Sequence, residues 1–177
     1  MCEIEKGVQF NKSRTSETGS YPLINGGVSP SGFIEQYNQE ENTITISQGG
    51  ASAGFVNWLQ TKFWAGAHCY VIHPNEKEID KRYTYHSLKH QESFFVRSQY
   101  GAGIPSLSRK TIEDFLIPLP PLEEQRRIAG VLDKFEALTS SLSEGLPAEI
   151  AARRRQYAYW RERLLGFGGA GGDGTGH

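Results

Sequence analysis

The sequence predicts an α+β protein: a strand-rich, mixed α/β head over residues 1–120, followed by a long coiled-coil-type helical region over residues 121–165. Three observations carry this. The run Asn42-Thr43-Ile44-Thr45-Ile46-Ser47 alternates β-branched apolar and polar residues at a period of two, the pattern of a strand. Through residue 74, short apolar runs are punctuated by Asn, Gly and Pro clusters, which end strands and make turns. From Ile128 onward the period changes to three and four residues, the spacing of a helix with one packing edge.

In chain order, residues 3–10 read as a first strand, ended by the polar run beginning at Asn11. Tyr21-Pro22-Leu23-Ile24 is a short apolar segment stopped by Asn25-Gly26-Gly27, and Ser29-Pro30-Ser31-Gly32 is a further loop. After the strand at 42–47, residues 48–54 form a turn of small residues, and residues 54–58 are the returning strand. Phe63-Trp64-Ala65 and His68-Cys69-Tyr70-Val71-Ile72 supply buried strand material. On a strand, His68 and Cys69 point to opposite faces. Residues 80–95 read as one helix, 101–108 as a loop and 109–115 as a short helix in which Thr111 and Asp114 resemble a capping box.

Pro118, Pro120 and Pro121 then hold the connector extended. Glu123 and Glu124 place negative charge at the positive end of the following helix. Its apolar edge runs through Ile128, Leu132, Phe135 and Leu142. Gly145 and Pro147 predict an end and a new start. The second helix repeats Ile150, Tyr157 and Leu164 at seven-residue spacing, with Trp160 filling in, a seam for another helix. Residues 166–177 are glycine-rich and read as a disordered tail.

The 177-residue chain has a formal net charge of −1. Residues 1–120 carry eleven Lys/Arg and twelve Asp/Glu, and residues 121–177 carry eight of each. Bulk positive charge is therefore not how this chain would bind a nucleic acid; cations must gather on one face, or partners must supply the field. No apolar run approaches a membrane span, and no leader-like start is present. Cys2 and Cys69 stand alone, with no CxxC, so a reducing cytoplasm is the expected compartment.

Signs of chemistry are weak. Gly166 to Gly171 matches G-x-G-x-x-G, but a helix precedes it and the chain ends, so the strand–turn–helix context of a cofactor loop is missing. His86 and His90 are four apart, yet Ser87 stands where a zinc hydrolase needs Glu, and they read as surface histidines. No methyltransferase, nuclease or phosphate-loop motif is present, so no catalytic residue, no metal site and no cofactor of its own is expected. Arg153, Arg154 and Arg155 have two readings, a solvated helix face, which is the usual fate of such a run, or a contact with a protein partner or a DNA backbone.

The stretch Leu-Pro-Pro-Leu-Glu-Glu-Gln-Arg-Arg-Ile-Ala at 119–129, followed by Val-Leu-Asp-Lys-Phe-Glu, resembles the conserved region of type I restriction-modification specificity subunits. Upstream, Tyr-Pro-Leu-Ile-Asn-Gly-Gly-Val-Ser-Pro-Ser-Gly, Thr-Ile-Thr-Ile-Ser with its glycine turn, Phe-Trp-Ala and Cys-Tyr-Val-Ile are similar to one target recognition domain of that family. The likeness spans residues 3–165. It implies a non-catalytic reader of double-stranded DNA. Methyltransferase subunits carrying S-adenosylmethionine, a restriction subunit, and a second copy or another specificity chain are the implied partners. One recognition domain and one conserved region, where most members have two of each, imply a half-subunit. The family domain has a further strand or helix ahead of the segment matching residues 2–7, which leaves a shortened, inactive specificity subunit as an alternative. A helical assembly module that binds protein and not DNA is another.

If DNA is the ligand, polar loop tips are the physical candidates: Lys12, Ser13, Arg14, Ser31, Gln48, Ser52, Arg97, Gln99, Arg109 and Lys110. The expected interface with another helix is Ile128, Leu132, Phe135, Leu142, Ile150, Tyr157, Trp160 and Leu164.

Overall fold

The computed structural model describes residues 2–10 and 19–165; within the last helix it describes side chains through Leu138 and at residues 145, 146, 149, 155 and 156. Among the described residues, seven strands and four helices follow one another: β1 (Cys2–Lys6), β2 (Tyr21–Ile24), β3 (Phe33–Ile34), β4 (Thr43–Ser47), β5 (Val56–Leu59), β6 (Trp64–Ala65), β7 (Cys69–Pro74), α1 (Lys81–His90), α2 (Glu92–Arg97), α3 (Arg109–Glu113) and α4 (Leu122–Leu165).

The strand with strict alternation, β4, is central. It lies between β7 and β5 in a four-stranded antiparallel sheet ordered β1-β7-β4-β5. All five of its residues are buried, the polar ones included, because both faces are covered. Ile44 and Ile46 join Ile4, Val56, Tyr70 and Ile72 on one face, under Tyr85 and Leu88 of α1, Phe95 of α2 and Ile112 of α3. On the other face Leu59, Cys69 and Val71 pack with Ile24, Phe63 and Ala65. The last three belong to a smaller sheet ordered β3-β2-β6 or to its flank. In it β2 pairs antiparallel with β3 and parallel with β6. The two-residue strand β3 has no sequence signal, being too short to show a period.

Strand β5 forms an edge, and side chains close it. The Glu92 carboxylate accepts from the Val56 N–H at 2.8 Å, while Lys89 Nζ donates to the Val56 carbonyl at 3.0 Å and to Glu92 at 2.6 Å. Blocking an edge in this way removes a template for strand addition. It also accounts for a departure from the single helix expected over 80–95. The chain breaks at Gln91 (φ −100°, ψ 14°), so that Glu92 meets β5 and Phe95 enters the core, fully buried.

Helix α1 starts at Asp80, whose Oδ1 accepts from the Tyr83 N–H at 2.9 Å. Helix α3 is capped by Ser108, which accepts from the Thr111 N–H at 3.0 Å, so the cap lies three residues earlier than the sequence pattern suggests. His68 departs from the buried-strand reading: it is exposed in the turn before β7, and the strand begins at buried Cys69. His86 departs from the surface reading: it is half-buried against the Tyr85 ring, 5.0 Å between centroids, whereas His90 is exposed.

The chain divides into two compact units, 1–130 and 131–177. The first turns of α4 therefore belong to the first unit, ten residues past the expected boundary at 120. Gln125 is the reason. It is 0% exposed. Its Oε1 accepts from the Asp80 N–H at 2.8 Å; its Nε2 donates to the Pro120 carbonyl at 2.8 Å and the Glu78 carbonyl at 3.3 Å. Tyr83 Oη donates to the Pro118 carbonyl at 2.9 Å. Ile79, Tyr83 and Ala129 form a small apolar cluster joined by Ile117 and Ile128.

One expectation fails outright. The helix predicted to end at Gly145 and restart at Pro147 is a single helix, Leu122–Leu165. A proline inside a helix removes one hydrogen bond and crowds one carbonyl, costing about 3 kcal/mol, and a glycine adds about 1. The strong helix formers around them, from Leu146 through Ala148, Glu149, Ala151 and Ala152, propagate the helix across the defect.

Burial pushes the Cys69 thiol up to about 12, against a smaller opposing effect from its hydrogen bond with Thr45. A raised thiol pKa means the folded state resists ionisation that the unfolded chain undergoes near 9. The stability it contributes is complete below pH 9 and is lost as pH rises from 9 toward 12. Cys69 is therefore expected to stay unreacted toward a maleimide at pH 8 while exposed Cys2 reacts. Mass spectrometry of the native and urea-unfolded protein reads this; rapid double labelling of the native chain would contradict it.

Candidate nucleic-acid interface

The antiparallel pairing decides which loops meet. Ser47 lies opposite Cys69 and Ile46 opposite Val56, so the end of β4, the start of β5 and the start of β7 share one end of the sheet. The β4–β5 loop, 48–54, and the β6–β7 loop, 66–68, emerge there. The β2–β3 loop, 25–32, joins them: Gly66 N–H donates to the Ile24 carbonyl at 2.7 Å, and His68 N–H to Asn25 Oδ1 at 3.2 Å. The α2–α3 segment, 98–108, is the fourth member.

These loops are fastened to each other. Gln48 N–H donates to the His68 carbonyl at 2.9 Å, Gly50 N–H to the Pro105 carbonyl at 2.9 Å, and Leu107 N–H to the Gln48 carbonyl at 2.7 Å. Gln99 Nε2 donates to the Ala53 carbonyl at 2.6 Å. Gly54 closes the β4–β5 loop with φ +87°, and a Cβ there would meet the Val96 nitrogen at 2.7 Å. Only glycine combines that left-handed backbone with so close an approach.

Charge is segregated along the sheet. Residues 25–34, 48–54, 66–68 and 97–110 contain no Asp or Glu; they carry Arg97, Arg109, Lys110 and His68. At the opposite end Thr43 pairs with Leu59 and Cys2 with Pro74. There Glu40 and Glu41 lead into β4, and Glu76, Glu78 and Asp80 follow β7. Lys62 and Lys81 are held at that end by Glu40 and Glu76, both at 3.0 Å. The four loops of this end thus carry no carboxylate of their own, while Glu113 and Asp114 pair with Arg109 and Lys110 beside them and Glu92 meets the start of β5.

Of the residues singled out from sequence, Lys12, Ser13 and Arg14 lie outside the described residues. Ser31, Gln48, Ser52, Arg97, Gln99, Arg109 and Lys110 are all brought to or beside this loop end. Their roles diverge. Ser31 and Arg97 are exposed, and Ser52 is half-buried. Arg109 pairs with Glu113 at 2.7 Å and Lys110 with Asp114 at 3.1 Å, both exposed pairs of little energetic weight. Gln99 has committed an N–H to the loop fastening. The Gln48 side chain hydrogen-bonds the Tyr70 phenol, whose pKa burial raises, and Tyr70 Oη donates to the Leu107 carbonyl at 3.3 Å. Gln48 Oε1 is buried without a hydrogen-bond partner among the described residues. Both glutamines hold the platform together. The structure adds His68, Val28 and Ile104, exposed on the same end; reading them from sequence required knowing that four loops meet.

On α4, Ile128 is half-buried in the cluster with Ile79, Tyr83 and Ala129, so its first partner is its own unit. Leu132 and Phe135 are 38% and 62% exposed, and Val131 and Leu138 are exposed with them. The side chains of Leu142, Ile150, Tyr157, Trp160 and Leu164 lie outside the described residues.

The first unit thus joins a sheet end of interlocked loops to the opening turns of a 44-residue helix. The type I restriction modification DNA specificity domain matches residues 1–152 of the chain. The chain belongs to that family. A Mycoplasma pneumoniae chain named as a type I specificity subunit is 32% identical over 172 residues, covering 94% of this chain and 56% of that one. The specificity subunit of an Escherichia coli type I restriction enzyme is 41% identical over 99 residues, covering 55% of this chain and 24% of the relative. The fold matches the crystal structure of a type I restriction-modification S subunit from M. genitalium with a TM-score of 0.74 at 24% identity, over 96% of this chain and 44% of that one. The chain spans about half or less of the length of these relatives. The relatives it matches are named as specificity subunits. Among the described residues no helix is long and apolar enough to cross a membrane.

Proposed function

We propose that this chain reads the sequence of one half-site in double-stranded DNA for a type I restriction-modification system, through the four interlocked loops that carry no acidic residue. The observation that carries the reading is the charge segregation. Arg97, Arg109 and Lys110 flank loops with no acidic residue, while the acidic residues next to β4 and β7 sit at the far end. Phosphate contacts from such cations set register, and side chains on the loops between them reach base edges.

In the same reading α4 is the spacer. Val131, Leu132, Phe135 and Leu138 are large apolar residues exposed at helical spacing, suited to another helix. That helix belongs to a second copy or another specificity chain, which brings a second half-site under the assembly. Methyltransferase subunits carrying S-adenosylmethionine and a restriction subunit dock on the assembled chain, which needs no cofactor of its own.

The test is a gel shift of the full chain with methyltransferase subunits on a randomised duplex pool at two salt concentrations. A sequence-enriched fraction whose affinity falls steeply with salt is the expected result. Binding that ignores both sequence and salt would overturn the reading.

A further inference from the structure

Among the loops of this end, the segment between α2 and α3 has a geometry of its own. Tyr100 and Ser106 exchange both backbone hydrogen bonds at 2.9 Å, a single antiparallel bridge that closes the loop 101–105. The base of the loop is tied to the β4–β5 loop through Pro105, Leu107 and an antiparallel bridge between Gly49 and Ser106. Gly101 makes the turn, with φ +102° and no room for a Cβ against the Ile104 carbonyl at 2.8 Å. The tip carries Ile104, 77% exposed and more so than Val28 or Tyr100 on the same end, each 58% exposed. Pro105 restricts Ile104 to extended backbone, and its β-branch stiffens χ1. A large apolar side chain is thus held out in water on a fixed backbone, between cations and away from any carboxylate of its own loop.

The major groove of B-DNA is wide enough to admit a helix or a narrow loop, and the apolar feature on its base edges is the thymine C5 methyl. We infer that Ile104 is a specificity-determining residue that packs on a thymine methyl in the major groove. This rests on the DNA reading above and names the contact through which part of it is made. Arg97, Arg109 and Lys110 supply the phosphate attraction that brings the loop to the groove; Ile104 supplies discrimination with no charge.

The experiment takes the duplex enriched from the randomised pool, with the protein assembled as in the binding test, and replaces each thymine by uracil in turn. One replacement is expected to weaken wild-type binding about four-fold, the transfer worth of a single methyl group. Ile104→Ala should erase that difference, while Ile104→Val keeps most of it; both should leave the salt dependence unchanged. Since the side chain is exposed at a loop tip, neither variant should lower the melting temperature. Equal uracil sensitivity in wild type and Ile104→Ala, or no sensitive thymine at all, overturns the inference while sequence selection itself stands. A wild-type protein that enriches no sequence overturns the DNA reading and this contact with it.

Discussion

Replacing Arg97, Arg109 and Lys110 together with alanine is expected to cost about a hundredfold in duplex affinity at physiological salt. Each phosphate neutralised by a cation adds about 0.9 to the slope of log affinity against log salt. At about 0.15 M salt that amounts to somewhat less than tenfold per contact, so three contacts compound to about two orders of magnitude. The slope should fall by about 2.7. The loss should be nearly the same on every sequence, because phosphate contacts position the protein without reading bases. Folding should be little affected, since the ion pairs of Arg109 with Glu113 and Lys110 with Asp114 are exposed. The matched control is Glu76→Gln with Glu78→Gln at the far end of the sheet, expected to leave binding unchanged. Titrations at two salt concentrations read both. An unchanged slope in the triple variant would mean that DNA meets another surface.

The second large effect is on stability. Gln125→Ala is expected to destabilise the first unit by about 3 kcal/mol, read as a fall of roughly 10 °C in melting temperature. The side chain is fully buried and satisfies three backbone groups at once: the Asp80 N–H and the carbonyls of Pro120 and Glu78. Truncation takes the partner from each of those part-buried groups, each loss costing on the order of 1 kcal/mol. Gln125→Glu should do no better, because an ionised carboxylate cannot donate to either carbonyl. Arg127→Ala is the contrast. Arg127 pairs with Glu124 at 2.6 Å, and this holds the carboxyl below its ordinary pKa, but the pair is exposed; its loss should barely move the melt. A Gln125→Ala protein melting within about 2 °C of wild type would remove the claim that this residue clamps the connector to the head.

Gln125 also shows where reading a sequence stops. In the string Leu-Glu-Glu-Gln-Arg-Arg it looks like one more polar residue on an exposed helix turn. Its burial follows from Asp80 and Glu78, more than forty residues earlier, arriving beside Pro120. The head therefore closes at Gly130 and not at residue 120, and Ile128 faces inward before any partner helix is considered.

The sequence alone determined what local periodicity can carry. Strict alternation marked β4 as a strand, the proline connector and the change of period marked α4, and the string at 119–129 identified the family. Residues one turn or one pleat apart report their shared face through spacing, so such features survive without coordinates. Tertiary structure decided the rest: the break at Gln91 that lets Glu92 close β5, the unbroken run through Pro147, and the gathering of four loops at one end. The segregation of charge belongs to this second group. Where a cation sits relative to a carboxylate depends on strand order and direction, which are set by long-range pairing of backbone groups, and composition registers only their sum.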